Sequence, residues 1–323
     1  MTNLDVIFIY AGDPNNTSIN SPYTITRELH KALSVEFRKV YYYDWCHTGE
    51  LPQVTKDTII LAHPNYPANT PAWRLFESEA RLKCLIFPFH HAMPEINIPF
   101  DPLVQMADHV FSITGEYWYD TIDKTAFAHW KPKITRLDMA IDLSAFPYVR
   151  NRITGRDFAY IGCDRVEKGL HTLHDIFKGT DYKLHIYGNI DGANPLAQLP
   201  NVYHHGYATT IKEFGSDLCQ SCVAFLNTSI SDANPTTLIE TAAWGLIVAC
   251  TKGSGYHHNR ENSLFWSLSD DDMNANRWLL NYLSTESEEI LLARMQKVRA
   301  GIESQHNWGR FTSQVINKLL ELI

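Results

Sequence analysis

The chain has no long hydrophobic run, little cysteine, no basic surplus and no internal repeat or low-complexity tract, and each absence removes a class of protein. No stretch approaches the roughly 20 apolar residues that a membrane-spanning helix needs. The first residues lack the basic segment and apolar core of a secretory leader. Six cysteines in 323 residues, at positions 46, 84, 163, 219, 222 and 250, are too scattered for a disulfide scaffold. Cys219 and Cys222 have redox-like spacing, but no second pair completes a zinc set, so buried thiols are expected. A formal charge of −8 gives no basic footprint for gripping nucleic acid without regard to sequence. A nucleic-acid partner is therefore not expected, and the chain reads as cytoplasmic.

What is present is an alternation of short apolar runs with amphipathic segments. In the N-terminal half, strands are expected at residues 6–10, 39–43, 58–62, 84–88, 109–112 and 135–139. A Gly-, Asn- and Ser-rich loop at 11–20 comes after the first of them and leads to a helix at 23–33. In the C-terminal half, strands are expected at 158–161, 182–187, 223–226 and 246–250, with a short strand and glycine turn at 201–207. Helices are expected from 169 to 177, 235 to 244, 286 to 303 and 308 to 322. Asp270, Asp271 and Asp272 suit the N-terminus of another helix reaching about residue 283, since acids favour that end. Such alternation implies an α/β fold built on parallel sheets with helices on both faces. With 45% hydrophobic residues, the length suits two domains, 1–147 and 148–307, joined by a linker at 147–155.

Two segments carry candidate chemistry. Between the strands at 223–226 and 246–250, Asp232 and Glu240 flank a helix N-terminus. Asn234 can cap that helix, with Pro235 in its first turn, where a missing N–H costs nothing. Thr236, Thr237 and Leu238 then offer free N–H groups and the positive end of the helix dipole to an anion. Taken alone, the same residues equally describe an ordinary capped crossover whose acids face water. Upstream, the strand at 158–161 ends at Gly162, and Lys168 and Gly169 precede a helix with apolar Leu170, Leu173, Ile176 and Phe177. A lysine with a nearby arginine suits a diphosphate whose charge grows as it leaves.

The acid, seven residues, Glu pattern of Asp232 and Glu240 resembles the signature of family-four glycosyltransferases of the GT-B fold. Residues 158–169 are similar to that family's strand, Gly-Arg, Glu-Lys-Gly motif. The resemblance implies two Rossmann-like domains facing across a cleft, with the last helix, 308–323, crossing back to the first. It implies that Asp232, where the family more often has Glu, contacts the donor sugar's hydroxyls, and that Glu240 holds the nucleotide ribose. Lys168 would hold the diphosphate, helped by Arg165, because the family's arginine position is occupied by Cys163. Gly12 resembles the family's glycine after the first strand. Gly162, Asn234, Pro235 and the amides of 236–238 complete the donor side, and residues 252–256 form a nearby glycine turn. His91 or its neighbour His90 would reach the donor sugar from the first domain.

The same resemblance implies transfer of a sugar from a nucleoside diphosphate donor to a hydroxyl acceptor with retention, without a required metal or cofactor. The acceptor would be a carbohydrate, a glycolipid or another hydroxyl compound, and family habit places such work in polysaccharide or glycolipid synthesis, at times at the inner face of the membrane. Aromatic residues at 41–43 and 117–119 and Trp130 offer flat rings to such an acceptor. A sugar-nucleotide epimerase and a non-catalytic sugar-nucleotide-binding scaffold are the alternatives.

Overall fold

The computed structural model describes residues 2–18, 20–65, 70–148, 150–206, 211–256 and 264–323, with 211–214 described by their backbone alone. Ile19 of the first loop, Val149 of the linker and Tyr207 at the end of the short strand lie outside the described residues. The chain divides into two compact units. One comprises Met1–Thr114, Trp118–Met139 and Trp308–Ile323; the other comprises Gly115–Tyr117 and Ala140–Asn307. The division after Met139 comes ahead of the boundary expected after residue 147.

The first unit holds six parallel strands: β1 (Thr2–Tyr10), β2 (Phe37–Asp44), β3 (Thr58–Ala62), β4 (Leu82–Pro88), β5 (His109–Ile113) and β6 (Ile134–Leu137). Their order is β2-β1-β3-β4-β5-β6. The inner strands β3 and β5 are buried along their whole length, as continuous apolar runs must be when helices cover both faces of a sheet. Ile7, Ile9, Ile60, Leu85 and Phe87 share one core with Phe89, Phe127 and Trp130. Trp130 is thus a core residue, completely buried, and offers no ring to an acceptor. Helix α1 (Ser21–Glu36) buries Ile25, Leu29 and Leu33, spaced four apart on one face.

The second unit repeats the plan with β7 (Asp157–Ile161), β8 (Leu184–Tyr187), β9 (Val202–His204), β10 (Cys222–Asn227), β11 (Ile247–Cys250) and β12 (Trp266–Ser267). All pairs are parallel, in the order β12-β11-β10-β7-β8-β9. This is the doubly wound dinucleotide-fold order, and it reverses direction between β7 and β10. The helices of this unit are α2 (Leu170–Phe177), α3 (Ile211–Ser221), α4 (Thr236–Trp244), α5 (Met273–Thr285) and α6 (Glu288–Gln305). The last helix, α7 (Trp308–Leu322), belongs to the first unit, where it packs on α1 and buries Phe311, Val315, Ile316 and Leu319.

Several elements have no counterpart in the sequence reading, among them the short helices Pro71–Phe76, Asp101–Met106 and Glu116–Thr121, helix α3 and strand β12. Helix α3 carries Gly215 in its interior, a weak helix former, and the reason is tertiary: a Cβ there would meet the Trp244 indole ring. Strand β12 is only two residues long. The acidic run behaves as expected, since Asp272 caps α5 by accepting a hydrogen bond from the Ala275 N–H at 2.9 Å. Cys84, Cys219, Cys222 and Cys250 are free and buried. Among the described residues no helix is long and apolar enough to cross a membrane.

Candidate functional site

In a doubly wound sheet, ligands bind beyond the carboxyl ends of the strands at the point where strand order reverses. In the second unit that point lies between β7 and β10, so the loops after them, residues 162–169 and 228–235, border it. They are stitched together. The Ile230 N–H donates to the Glu167 carbonyl at 2.9 Å, and the Thr228 hydroxyl donates to the Lys168 carbonyl at 3.2 Å. Lys168 Nζ then reaches Asp232 Oδ2 at 2.5 Å. Gly169 makes the approach possible: it lies in the left-handed region at φ 62°, and a Cβ on it would overlap the Thr228 carbonyl oxygen. Two residues 64 positions apart in sequence thereby form a cation–carboxylate pair at the switch point, both partly open to solvent.

The loop after β10 is fixed from beneath. Asn227 Oδ1 accepts from the Ser229 N–H at 3.0 Å and from the Ser254 hydroxyl at 2.8 Å. Thr251 donates to the Ser229 carbonyl at 2.5 Å, and the Asp232 N–H donates to the Gly253 carbonyl at 2.8 Å. Gly253 is small for cause, because a Cβ would run into the Ser229 carbonyl. The glycine turn at 252–256 is therefore the floor of the loop. It also supplies Tyr256, whose hydroxyl donates to Asn234 Oδ1 at 2.7 Å.

That contact corrects the expected cap. Asn234 does not cap α4, which starts at Thr236; Pro235 occupies the N-cap position, not the first turn, and no side chain caps the helix. Asn234 is buried and turned to Tyr256 instead, leaving its Nδ2 without a protein partner. Ser229 Oγ and Ser231 Oγ are buried and unpartnered in the same loop. Each such group costs about 1–3 kcal/mol when nothing satisfies it. Three of them lie together beside Asp232 and a helix N-terminus that no side chain caps.

Glu240 lies one turn into α4, partly accessible but crowded enough that burial pushes its pKa up to about 7; a hydrogen bond with the Thr236 side chain opposes the shift. Arg165 is 69% exposed and lies 3.7 Å from Glu167, so it stands on the rim of the loop. Gly162 closes β7 with its N–H on the Tyr187 carbonyl at 3.0 Å.

Of the other expected site residues, Gly12, His90 and His91 belong to the first unit. Gly12 has φ 79°, and its N–H is already given to Asp44 Oδ2 at 2.7 Å. It shapes the turn after β1 and has no amide to offer a phosphate. His91 Nε2 lies 2.7 Å from the Thr121 hydroxyl, and its ring meets Trp118 edge-on at 4.9 Å. Burial, then the neighbouring His90, holds its pKa below the ordinary value, so it stays neutral at neutral pH. The His90 carbonyl accepts from Asn97 Nδ2 at 2.8 Å.

Ser229 and Ser231 were not among the site residues expected from the sequence, and Tyr256 entered only as the end of the glycine turn. A signal was present for the serines: a run of small polar residues directly after a wholly apolar strand. His63, also outside the expected set, comes after β3 at the first sheet's own switch point, between β1 and β3. His63 Nδ1 accepts from the Asn65 N–H at 3.1 Å, and the ring is boxed by Trp45 at 4.6 Å and Tyr10 at 5.3 Å. Burial pushes its pKa down to about 3, so it is a neutral imidazole whose remaining N–H is a donor.

No family model matches the chain, and no curated protein matches it. Solved structures do. A glycosyltransferase from Rickettsia africae ESF-5 superposes with a TM-score of 0.70 at 11% identity, covering 100% of this chain and 99% of the other. Sucrose-phosphate synthase from Thermosynechococcus elongatus gives 0.72 at 11% identity, with 99% of each chain covered. Anabaena Alr3699/HepE, solved in complex with UDP and glucose, gives 0.64 at 13% identity, covering 99% of this chain and 100% of that one. These likenesses show the fold: the two-sheet α/β architecture of GT-B glycosyltransferases runs through the whole chain.

Proposed function

We propose that this protein is a glycosyltransferase that takes its sugar from a nucleoside diphosphate donor. The observation that carries the reading is the Lys168–Asp232 pair at the switch point, set against a loop whose buried Ser229, Ser231 and Asn234 lack protein partners. The chemistry of these groups sorts by ligand part. Neutral hydroxyl and amide groups with one carboxylate suit a polyol, whereas a lysine and uncapped helix amides suit a diphosphate. Asp232 and Asn234 accordingly face the sugar. Lys168, aided by Arg165 and the N–H groups of Thr236 and Thr237, holds the diphosphate; the Leu238 N–H, expected to be free, is already given to the Pro235 carbonyl at 3.3 Å. Glu240 accepts from the ribose hydroxyls. Donor binding substitutes the diphosphate for Asp232 as the partner of Lys168.

In the transfer step an acceptor hydroxyl oxygen bonds to the anomeric carbon while the bond from that carbon to the diphosphate oxygen breaks. The hydroxyl proton passes to the departing diphosphate, and Lys168 stabilises the charge that grows there. Attack on the face the diphosphate leaves retains configuration, and no carboxylate is assigned as a nucleophile. His91 and His90 are proposed to assist from the first unit. The acceptor is proposed to be a carbohydrate or glycolipid, and contact with the inner face of a membrane belongs to the same proposal.

The test is calorimetric titration of nucleoside diphosphates and their sugar conjugates, with products analysed in the presence and absence of acceptors. Lys168→Ala is expected to lower kcat/KM by about 10²–10³, the usual loss for one group stabilising the leaving charge. Lys168→Ala and Glu240→Ala should both weaken donor binding while the protein stays folded. Unchanged donor binding in both variants would sink the assignment, and turnover of donor alone to an isomer would make the protein an epimerase instead.

A further inference from the structure

The amino-terminal edge of the second sheet, at the other ends of the strands from the donor loops, carries a cavity. It has a volume of about 490 Å³ and is lined by Arg150, Asn151, Arg152, Thr154, Ser216 and Gln220, among others. That size lies in the range of small-molecule sites, roughly 300–1,000 Å³. Among the described residues no carboxylate lines it. Its residues come from the segment entering β7 and from the end of α3, which runs directly into β10.

Arg150 sets its character. The residue is only 3% exposed, and its guanidinium donates to the carbonyls of Cys219 and Cys222, closing the C-terminal end of α3. Thr154 donates to the neighbouring Gln220 carbonyl at 2.8 Å. These bonds satisfy the helix end but leave Arg150 Nε without a partner and give the guanidinium no carboxylate. Glu288, whose charge reaches Arg150, accepts from the Ile153 N–H at 2.9 Å and does not line the cavity. A buried cation ordinarily has a counter-charge. Arg152 is exposed beside it and adds a second positive charge to the same wall. Asn151, Ser216 and Gln220 add neutral hydrogen-bonding groups.

We propose that this cavity is a binding site for a small oxyanion-bearing molecule, carrying phosphate or carboxylate groups, with Arg152 as its direct ligand and Arg150 as the buried charge behind it. The site is separate from the donor site, since its residues precede β7 and β10 whereas the donor loops come after them.

Thermal unfolding in millimolar pyrophosphate and citrate, at constant ionic strength, tests it and distinguishes phosphate from carboxylate ligands. Wild type should show a saturable rise in Tm with at least one of the two, because a ligand bound only by the folded state stabilises it. Arg152→Ala, a surface change that leaves the Arg150 helix cap intact, should weaken the apparent affinity about tenfold, as loss of one charge-assisted bond does. Lys168→Ala, which removes any pyrophosphate held at the donor site, should leave the part of the rise that depends on Arg152. No rise in wild type, an equal rise in Arg152→Ala, or a rise lost in Lys168→Ala would each overturn the proposal; the last would assign the anion to the donor site. Because these outcomes do not depend on sugar transfer, they stand apart from the fate of the glycosyltransferase reading.

Discussion

Glu240 is where burial and function pull in opposite directions. In its proposed role as acceptor of ribose hydroxyls it acts as the carboxylate, yet its surroundings push its pKa from the ordinary 4.5 up to about 7. Folding therefore holds a proton between those values that the unfolded chain releases. The residue's contribution to stability is complete below about pH 4.5 and is lost as pH rises through 7. Glu240→Gln is expected to stabilise the protein at pH 8 relative to wild type by roughly 1–3 kcal/mol, with the difference vanishing at pH 4. Urea titrations at the two values measure it. Donor binding should run the other way, falling about tenfold per unit as pH drops below 7, because only the carboxylate binds. Calorimetry across pH 5–8 reads that slope, and a flat profile would remove Glu240 from the ribose.

At the scale of elements, the site depends on two loops kept in contact by a glycine. Gly169→Ala would strain a backbone held at φ 62° and drive a methyl group into the Thr228 carbonyl. The expected cost is about 1–3 kcal/mol or more, with loss of donor binding because Lys168 moves away from Asp232. Lowered denaturation midpoints together with a lost calorimetric signal would bear this out. Most elements could be read from the chain because each apolar run had the length of a buried strand and the turns between them carried glycine or proline. The Lys168 and Asp232 positions were legible through their motifs. The Asn234 cap was not, because local preference favours Asn before a helix and only the fold brings Tyr256 to claim its carbonyl oxygen. Helix α3 was hidden for the same reason: Gly215 argues against a helix locally, and Trp244 requires it tertiarily.

On the scale of the whole molecule, each sheet has its own apolar core, one around Ile7, Ile60 and Phe87 and the other around Phe158, Ile186 and Leu226. Two cores need not melt together, so a single unfolding free energy is not expected to describe the protein. Differential scanning calorimetry with and without a nucleoside diphosphate should show only the transition of the second unit moving upward, since the proposed donor groups lie in it. Equal movement of every transition would count against a donor site confined to that unit.

The return of α7 to the first unit also orders events at the ribosome. Residues 140–307 emerge as one continuous stretch of the second unit, whereas the first unit stays without its partner for α1 until residues 308–323 appear. The lobe that is translated later is thus the earlier one able to assemble fully, and until then the nascent first lobe leaves the face of α1 on which α7 packs uncovered.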